Sequence, residues 1–491
     1  AAFGDALRGA SGTASAATPA PESSDARLSL AILPFDNLGG DVANDFFSDG
    51  ITDELIGSLS RLPRLRVVSR TSAFAFRGKG LALPEIGARL RVGYALTGSV
   101  RRAGERLRLS AQLSRVADDT LVWSETYERK VEDVFEVQDD LARRITTTVR
   151  DALGSVGTTT PARIQPARNL IAYDQYLQGR YAWNKRNPTA LREGLACFQR
   201  AIEADPDFAP AWAGLADSHA LLASSNVSLP SIEYPEARKA ALRAIELDPS
   251  LADGHASLGL IRLNYDWDWQ GAERELLTAI ELNPSYSTAR QWYSGYLSSM
   301  GRFDEAIAMA QQGAAVDPYS LPAIIRVGIA YSYAGQHEHA VAHLERARSM
   351  EPTFLHAHSW LANSYRELGR HDDAVRIAEE AYASSQHAAA FRGLLASVYR
   401  GAGRVDEARA IIHELSHGSD AHPFFMALLH LFIDELDTAY EWLDRGVQER
   451  SDMMHTLRTN PFFRPAWGDP RFGAIVRRVG LGEPPAARPP A

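Results

Sequence analysis

No group of side chains in this 491-residue sequence has the spacing of an established catalytic motif. Lys79 is flanked by glycines but lacks the G-x-x-x-x-G-K-[ST] spacing of a phosphate-binding loop, and no G-x-S-x-G turn presents a serine nucleophile. The sequence therefore predicts no catalytic residues, no cofactor and no enzymatic activity.

Three histidines, His337, His339 and His343, are close together in the sequence. On a helix, His339 and His343 lie one turn apart and could share a divalent metal ion. Their order is not H-E-x-x-H, and no third ligand is evident. We interpret them as solvated residues at the start of a helix and expect no metal site.

Carboxylates crowd the stretch that opens the first predicted helix. They are Asp36, Asp41, Asp45, Asp49, Asp53 and Glu54. A calcium loop needs acidic ligands at alternate positions, and Phe47 interrupts that alternation. We interpret these residues as helix-start and solubility groups, because acidic side chains favour the positive end of a helix dipole. An enzyme site dispersed around them is the minor alternative.

Positive charge is concentrated on one predicted strand hairpin, at Arg101, Arg102, Arg106 and Arg108. Such a cluster could bind lipid headgroups or an acidic partner. A solvated strand face is the interpretation that we favour.

A period of 34 residues runs through the middle of the chain. Four glycines keep it (Gly301, Gly335, Gly369 and Gly403), and so do four alanines (Ala306, Ala340, Ala374 and Ala408). A fixed period of this size indicates stacked helical hairpins. Glycine provides the left-handed cap after a first helix, and a proline at the end of each repeat stops the second.

This pattern resembles the tetratricopeptide repeat (TPR) family. The best copy carries its marker residues at Gly328, Tyr331, Gly335, Ala340, Ala347 and Pro352. The resemblance implies a superhelical solenoid that binds a protein or peptide in its concave groove. Carried over by register, the groove candidates are Gln291, Ile325, Ile329, Tyr333, Ser359, Asn363, Arg366 and Arg400.

Three of these candidates, Asn363, Arg366 and Arg400, could bind a peptide carboxylate through amide and guanidinium donors. The complete clamp of the TPR family also needs a lysine and a second asparagine, which we do not find. The tryptophans of the repeats are expected to pack rather than to bind ligands.

Residues 28–153 show strand and helix patterns in the order β-α-β-α-β-β-β-α. The predicted strands are 28–35, 65–76, 94–102, 106–116 and 121–127, and the predicted helices are 46–62, 84–90 and 134–153. This order predicts a small α+β sheet with helices on one face.

The blocks 32–35, 47–54, 68–72 and 96–100 resemble bacterial domains akin to the amino-terminal domain of TolB (TolB-N) and to FlgO-type proteins. In that group the domain commonly precedes TPRs. The other part of such proteins is a winged-helix DNA-binding domain, a protein kinase or a nucleotide cyclase, and we find none of these in the sequence.

The predicted fold class is therefore an α+β amino-terminal domain followed by an all-α TPR superhelical solenoid. The predicted divisions are a flexible linker at 1–27, the α+β domain at 28–153, a linker at 154–169, eight helical hairpins at 170–450, a cap at 451–481 and a disordered tail at 482–491. Aromatic residues of the cap, with Trp442 as a partner, are expected to close the open end of the solenoid.

Composition limits the function classes. The net charge of −9 argues against nucleic-acid binding by the whole chain, and a single cysteine excludes an intramolecular disulfide. No run of about 18 apolar residues is present to span a membrane. The linker-like start, without methionine, predicts an anchor or signal ahead of Ala1, with a cytosolic fusion partner as the rival.

These observations predict a non-enzymatic protein–protein interaction module. We expect it to be the sensing or scaffolding region of a bacterial protein that is periplasmic or anchored to the membrane and faces the periplasm; a cytoplasmic location is the alternative. Other functional alternatives are a structural accessory subunit of an envelope complex, or a small-ligand sensor acting through the α+β domain.

Overall fold

The computed structural model describes residues 29–39, 45–62, 65–153, 170–185, 187–224, 228–416 and 422–482. The linkers predicted at 1–27 and 154–169, and the tail apart from residue 482, lie outside the described residues.

The amino-terminal domain contains six strands and four helices in its described part. In chain order they are β1 Ser29–Ile32, β2 Asp36–Asn37, α1 Asp45–Ser60, β3 Arg66–Val67, α2 Arg70–Phe74, α3 Leu83–Leu90, β4 Tyr94–Ala103, β5 Arg106–Arg115, β6 Thr120–Lys130 and α4 Val134–Leu153.

The six strands form one mixed sheet in the order β3-β1-β4-β5-β6, with β2 also pairing with β4. β1 is parallel to β3 and β4, whereas β4, β5 and β6 are antiparallel. Leu30 and Leu96 face a core shared with α1 and α4, while Ala31 and Ala95 face a second core with α3. The prediction of helices on one face is wrong, because β1 is buried on both sides and needs cover on both.

The second predicted strand is much shorter than 65–76. Only Arg66–Val67 pairs, and the chain then turns into α2. The Ser72 backbone N–H (3.1 Å) and hydroxyl (2.5 Å) both donate to the Asp317 carboxylate in the solenoid. This contact between α2 and a residue far along the chain favours a helix over the strand that local propensity predicts.

Eight helical hairpins follow. Their helices are α5 Leu170–Trp183, α6 Pro188–Ala204, α7 Ala209–Ser224, α8 Pro230–Leu247, α9 Ala252–Ile261, α10 Trp269–Leu282, α11 Ser287–Ser299, α12 Phe303–Val316, α13 Leu321–Tyr333, α14 His337–Met350, α15 His356–Glu367, α16 His371–Ser384, α17 Ala389–Gly401, α18 Val405–Ser416, α19 Pro423–Phe432 and α20 Leu436–Gln448. The predicted fold class, an α+β domain followed by a helical solenoid, is confirmed.

Each marker residue of the repeat has a visible structural role. Gly335 has φ of +76°, and the following residue, Gln336, donates its N–H to the Tyr331 carbonyl at 2.9 Å, which caps α13. A Cβ placed on Gly328 would lie 2.6 Å from Leu344 Cγ. This small residue therefore allows the two helices of the hairpin to approach closely.

The carboxy-terminal segment, residues 450–482, contains the 3-10 turns Met454–Thr456 and Pro461–Ala466 and the helix α21 Pro470–Arg478. Phe463 and Phe472 are buried in one core with Leu443 of α20, and Trp442 packs against that core. The segment packs on the last hairpin and also extends well beyond it.

Candidate functional site

The predicted peptide groove is largely buried. Ile325, Ile329 and Tyr333 are 1%, 3% and 6% exposed. The Tyr333 ring lies 5.7 Å from that of Trp360, and its hydroxyl is close to Thr456 of the carboxy-terminal segment. The expectation that these three side chains line an open groove is corrected, since their surfaces are covered by the protein itself.

The two groove arginines also have partners within the chain. The Arg366 guanidinium lies between the rings of Phe432 and Phe462, at 4.7 and 5.0 Å from their centroids. Arg400 Nε donates to the Phe432 carbonyl at 2.9 Å, and its Nη2 lies 3.4 Å from the Asp434 carboxylate. The carboxylate clamp considered from the sequence is therefore not formed.

The remaining candidates bond within their own helices. Asn363 donates to the Ser359 carbonyl at 2.9 Å, and Gln291 Nε2 lies 3.1 Å from the Ser287 hydroxyl. Gln291, Ser359 and Asn363 are partly exposed.

The carboxy-terminal segment fills this space by running back from the last hairpin to the third. Phe462 packs on Trp360 with ring centroids 6.0 Å apart. Farther back, Arg450 Nη1 donates to the Tyr265 carbonyl at 2.7 Å, and Trp269 Nε1 donates to the Gly480 carbonyl at 2.8 Å. The segment thus bridges hairpins that are distant in sequence.

The aromatic run Tyr265–Trp269, which replaces the usual glycine turn, is the contact point for this bridge. Residues 262–266 form a π-helical turn, and Trp267 has φ of +58°. The Arg450 guanidinium lies 4.7 Å from the Trp267 ring centroid. The irregular turn presents an aromatic surface to a cation from the other end of the solenoid.

Replacing the segment by a peptide would be costly. Five of its apolar side chains are almost fully buried, namely Met454, Leu457, Phe463, Phe472 and Val476. At about 1.5–3 kcal/mol each, their burial contributes about 7–15 kcal/mol. A peptide that binds with micromolar affinity supplies only about 8 kcal/mol. The segment that occupies the groove is thus anchored in a core that it shares with the last hairpin.

A second feature is the contact between the α+β domain and the start of the solenoid. Arg102 of β4 forms a double-donor ion pair with Asp174 of α5 at 3.1 and 3.2 Å and lies 4.9 Å from the Phe47 ring. A Cβ on Gly50 of α1 would lie 2.5 Å from Leu177 of α5. The two domains are packed closely here.

Alternating charges continue this contact. Six residues form a series in which each is ion-paired with the next: Arg77, Asp49, Arg70, Asp53, Arg180 and Asp253. In the four pairs that follow Asp49, the N–O distances are 3.5–3.9 Å. The interpretation of Asp49 and Asp53 as solvated helix-start groups is corrected. Asp49 is 3% exposed, because burial of a carboxylate is tolerated when cations pair with it.

Glu54 lies beside this series and faces a cleft between the two domains. Burial raises the pKa of Glu54 to about 7, and the charge of Asp53 adds to the effect. Arg180 and Arg61 oppose the rise. The site therefore favours the protonated form of this carboxyl group more than water does.

Sequence reasoning missed Arg180, although a signal was present. Tyr173, Leu177 and Arg180 are spaced at i, i+4 and i+7 on α5, so that the arginine shares the face of two buried residues. A cation at a core position of an amphipathic helix indicates a buried partner, here Asp53 and Asp253.

The three clustered histidines pack against the protein. The rings of His339 and His343 stack on Tyr331 at 5.2 and 5.7 Å. His337 is 8% exposed, so it is not the solvated residue that we expected. Across residues 29–482, apart from the undescribed gaps, no three potential ligands are arranged to hold a metal ion.

The arginine hairpin divides by strand alternation. Arg101 and Arg108 are opposite each other on the open face of the sheet, and Arg108 lies 3.5 Å from Glu128. Arg102 points the other way, toward the solenoid. In the part of the chain that the structure describes, no helix is both long and apolar enough to cross a membrane.

Comparison with protein families supports the two-part architecture. Residues 325–386 and 365–420 match tetratricopeptide repeat models. Residues 26–146 match the second domain of HilA/YgeH-like transcriptional regulators. The resemblance to TolB-N and FlgO is not confirmed, since this other family model matches the domain instead. The chain thus joins a small α+β domain to a TPR solenoid, an architecture suited to protein–protein scaffolding.

A curated relative is the putative adenylate cyclase 3 of Rhizobium meliloti (strain 1021). It is 35% identical over 251 residues, which are 50% of this chain and 42% of the relative. The matched region thus spans less than half the length of that relative.

Solved structures with similarity include PilF of Pseudomonas aeruginosa, at 16% identity and a TM-score of 0.33 over 43% of this chain and 96% of that one. YrrB, a TPR protein with an unusual peptide-binding site, has 23% identity and a TM-score of 0.25 over 38% of this chain and 90% of that one. The type IV pilus biogenesis factor PilW has 18% identity and a TM-score of 0.30 over 52% of this chain and 97% of that one.

Proposed function

We propose that this chain is a non-enzymatic interaction scaffold whose protein partner docks on the outer face of the solenoid. The observation that carries the proposal is the filled groove, in which Tyr333 and Arg366 lie against the carboxy-terminal segment. A partner therefore needs a surface outside the groove.

The second helices of the second and third hairpins expose apolar side chains. Leu242 of α8 is 48% exposed and Leu277 of α10 is 37% exposed. They occupy equivalent positions, because each lies one and a half turns before the residue that ends its helix. The equivalent position in the fourth hairpin is Gln311, which is polar. Exposed leucines at matching positions of successive repeats fit a protein interface.

The cyclase relative supports a regulatory setting for such a scaffold. The shared region is only 42% of that protein. We propose that this chain is the non-catalytic part that accompanies an effector, with a structural accessory subunit as the second candidate. The periplasmic or membrane-anchored setting stays a prediction.

A photo-crosslinking amino acid placed at position 242 or 277 of the chain, in its native cells, tests the docking surface. We expect a crosslinker at either position to form adducts with a polypeptide other than residues 1–491 of this chain. The matched control is position 311, and buried position 329 reports intramolecular contact only. Adducts at 311 as strong as those at 242 and 277, or none at any of them, would contradict the proposal. A fixed stoichiometry of the adduct after purification would favour the accessory-subunit role.

A further inference from the structure

A second cleft at the junction of the two domains is larger than the cleft beside Glu54. It lies between the start of α1 and one side of the first hairpin, which α5 and α6 form, and its volume is about 470 Å³. Ligand pockets commonly measure about 300–1,000 Å³ and often lie where domains meet. This cleft therefore has room for a small organic molecule.

Part of the cleft wall is apolar. Phe46 of α1 faces Tyr181, Ala182 and Cys197 of the hairpin across it. The Tyr181 side chain is 38% exposed, whereas Ala182 and Cys197 are buried. A partly exposed aromatic ring beside a cleft offers apolar surface to a bound molecule.

Four charged side chains line the same cleft. Asp45 and Glu193 are acidic, and Lys185 and Arg200 are basic. Among the described residues, none of the four forms an ion pair. The Lys185 ammonium lies 4.6 Å from the centroid of the Tyr181 ring, which is neutral. Equal numbers of acids and bases without an ionic partner favour a ligand that carries both signs of charge.

The spacing along α6 separates the two signs. Glu193 and Arg200 are seven residues apart on one face of the helix, which corresponds to about 10 Å along its axis. Arg200 Nη2 donates to the Cys197 sulfur at 3.1 Å, so the guanidinium is held back toward the middle of the cleft. A molecule that lies along α6 thus has an acid near one end and a guanidinium near the other.

We propose that this cleft binds a small zwitterion with an apolar side chain, either a free amino acid or a dipeptide. Its ammonium group binds Glu193 and its carboxylate binds Arg200, through charge-assisted hydrogen bonds. Its apolar side chain packs on Phe46 and Tyr181. Because α1 and the first hairpin both line the cleft, the bound molecule contacts both domains.

This inference goes beyond the docking surface proposed above, since it uses other residues and another class of ligand. The competing explanation is that the four charged groups are solvated and the cleft holds only water, as is usual for charged side chains at a surface. Binding measurements on the full chain separate the two explanations.

The experiment is isothermal titration of the full chain with L-leucine, L-phenylalanine and L-leucyl-L-leucine, each to about 10 mM, a concentration that detects millimolar affinity. The controls are N-acetyl-L-leucine, which lacks the ammonium group, and L-leucinamide, which lacks the carboxylate. We expect saturable binding of at least one zwitterion at one site per chain, and binding at least about tenfold weaker for both controls. Binding of leucine or phenylalanine identifies an amino acid as the ligand, and binding of leucyl-leucine alone identifies a dipeptide.

Glu193→Gln is the variant that tests the site, because it removes the acid that binds the ammonium group and lies at an exposed position. We expect it to weaken zwitterion binding about tenfold, or about 1.4 kcal/mol. Glu203→Gln makes the same change at an exposed position of α6 outside the cleft and should leave the affinity unchanged. The proposal is overturned if no zwitterion binds saturably to the wild-type chain, if either control compound binds as tightly as the zwitterions, or if Glu193→Gln binds as tightly as the wild type.

Discussion

At the residue scale, Asp452 occupies a position that opposes its own ionisation. It begins the carboxy-terminal segment, is 3% exposed, and its Oδ1 atom has no hydrogen-bond donor within the described residues. Burial raises the pKa of Asp452 to about 7, against the opposing effect of a backbone hydrogen bond from Met453. An unpaired buried carboxylate is stabilised by remaining protonated.

The consequence is a loss of stability as the pH rises. The folded protein binds this proton more tightly than the unfolded chain does, so the contribution is fully present below about pH 4 and is lost as the pH rises through about 7. We expect Asp452→Asn, which cannot ionise, to raise the free energy of unfolding at pH 8 by roughly 2–4 kcal/mol and to change it little at pH 4. Chemical denaturation at the two pH values measures this difference.

The matched control is Asp444→Asn, at a side chain that is 50% exposed. It should have nearly the same small effect at both pH values, because surface ion pairs contribute little. If Asp452→Asn and the wild type have the same free energy of unfolding at pH 8, the Asp452 carboxylate is solvated or paired in solution, and the prediction is wrong.

At the scale of elements, the packing of α1 on α5 joins the two domains. A Cβ on Gly50 would lie 2.5–2.8 Å from three atoms of the buried Leu177 side chain. Gly57, two turns along the same helix, has nothing within 4 Å of the same ideal Cβ. One helix thus carries a glycine that the interface requires and another that it does not.

These two glycines give a paired test of the interface. We expect Gly50→Ala to lower the free energy of unfolding by about 1–3 kcal/mol, since Leu177 must shift within a packed core. Gly57→Ala should be neutral or raise it by up to about 1 kcal/mol, because alanine favours a helix over glycine. Denaturant titration of both variants checks this. Equal effects of the two substitutions would mean that α1 and α5 do not pack closely.

The elements themselves were mostly predictable, and the exceptions have physical causes. The helix Asp45–Ser60 and the hairpin of β4 and β5 follow apolar periodicity and turn residues that are local in sequence. The stretch 65–76 was predicted as one strand from its β-branched and aromatic residues, but the structure has only Arg66–Val67 as strand. Its Ser72 bonds to Asp317, a contact that local propensity cannot reveal.

At the scale of the whole molecule, the carboxy-terminal segment closes the solenoid on itself. Arg450 is a key residue of this closure, because it bonds to the carbonyls of Tyr265 and Asp266 at 2.7 and 3.2 Å and stacks on Trp267. This side chain thereby joins the start of the carboxy-terminal segment to the third hairpin.

Removing that side chain should loosen both ends of the bridge. We expect Arg450→Ala to increase hydrogen–deuterium exchange at residues 262–268 and 450–460 and to leave α19 largely unchanged, since the local openings depend on tertiary contacts. Arg445→Ala is the control. Its guanidinium also stacks on a tryptophan, Trp442, at 5.1 Å, but its ion pair is local, with Glu449 one turn along the chain at 2.7 Å. Equally fast exchange at residues 262–268 in the Arg445→Ala control would contradict a specific role of Arg450 in this closure.

The sequence by itself determined the repeat. Caps, close-packing alanines and terminating prolines act within about 34 residues, so their pattern specifies stacked hairpins wherever they occur. It also determined most of the strand and helix order of the amino-terminal domain, for the same local reason.

Only the tertiary structure decided which segment fills the groove of the solenoid and which residues form the junction with the α+β domain. The groove is filled by residues more than 80 positions away from Tyr333, and the domain junction pairs Asp53 with Arg180. The register of a repeat specifies which side chains face inward, but not which segment meets them. That choice depends on burial and charge pairing between distant parts of the chain, which local patterns do not encode.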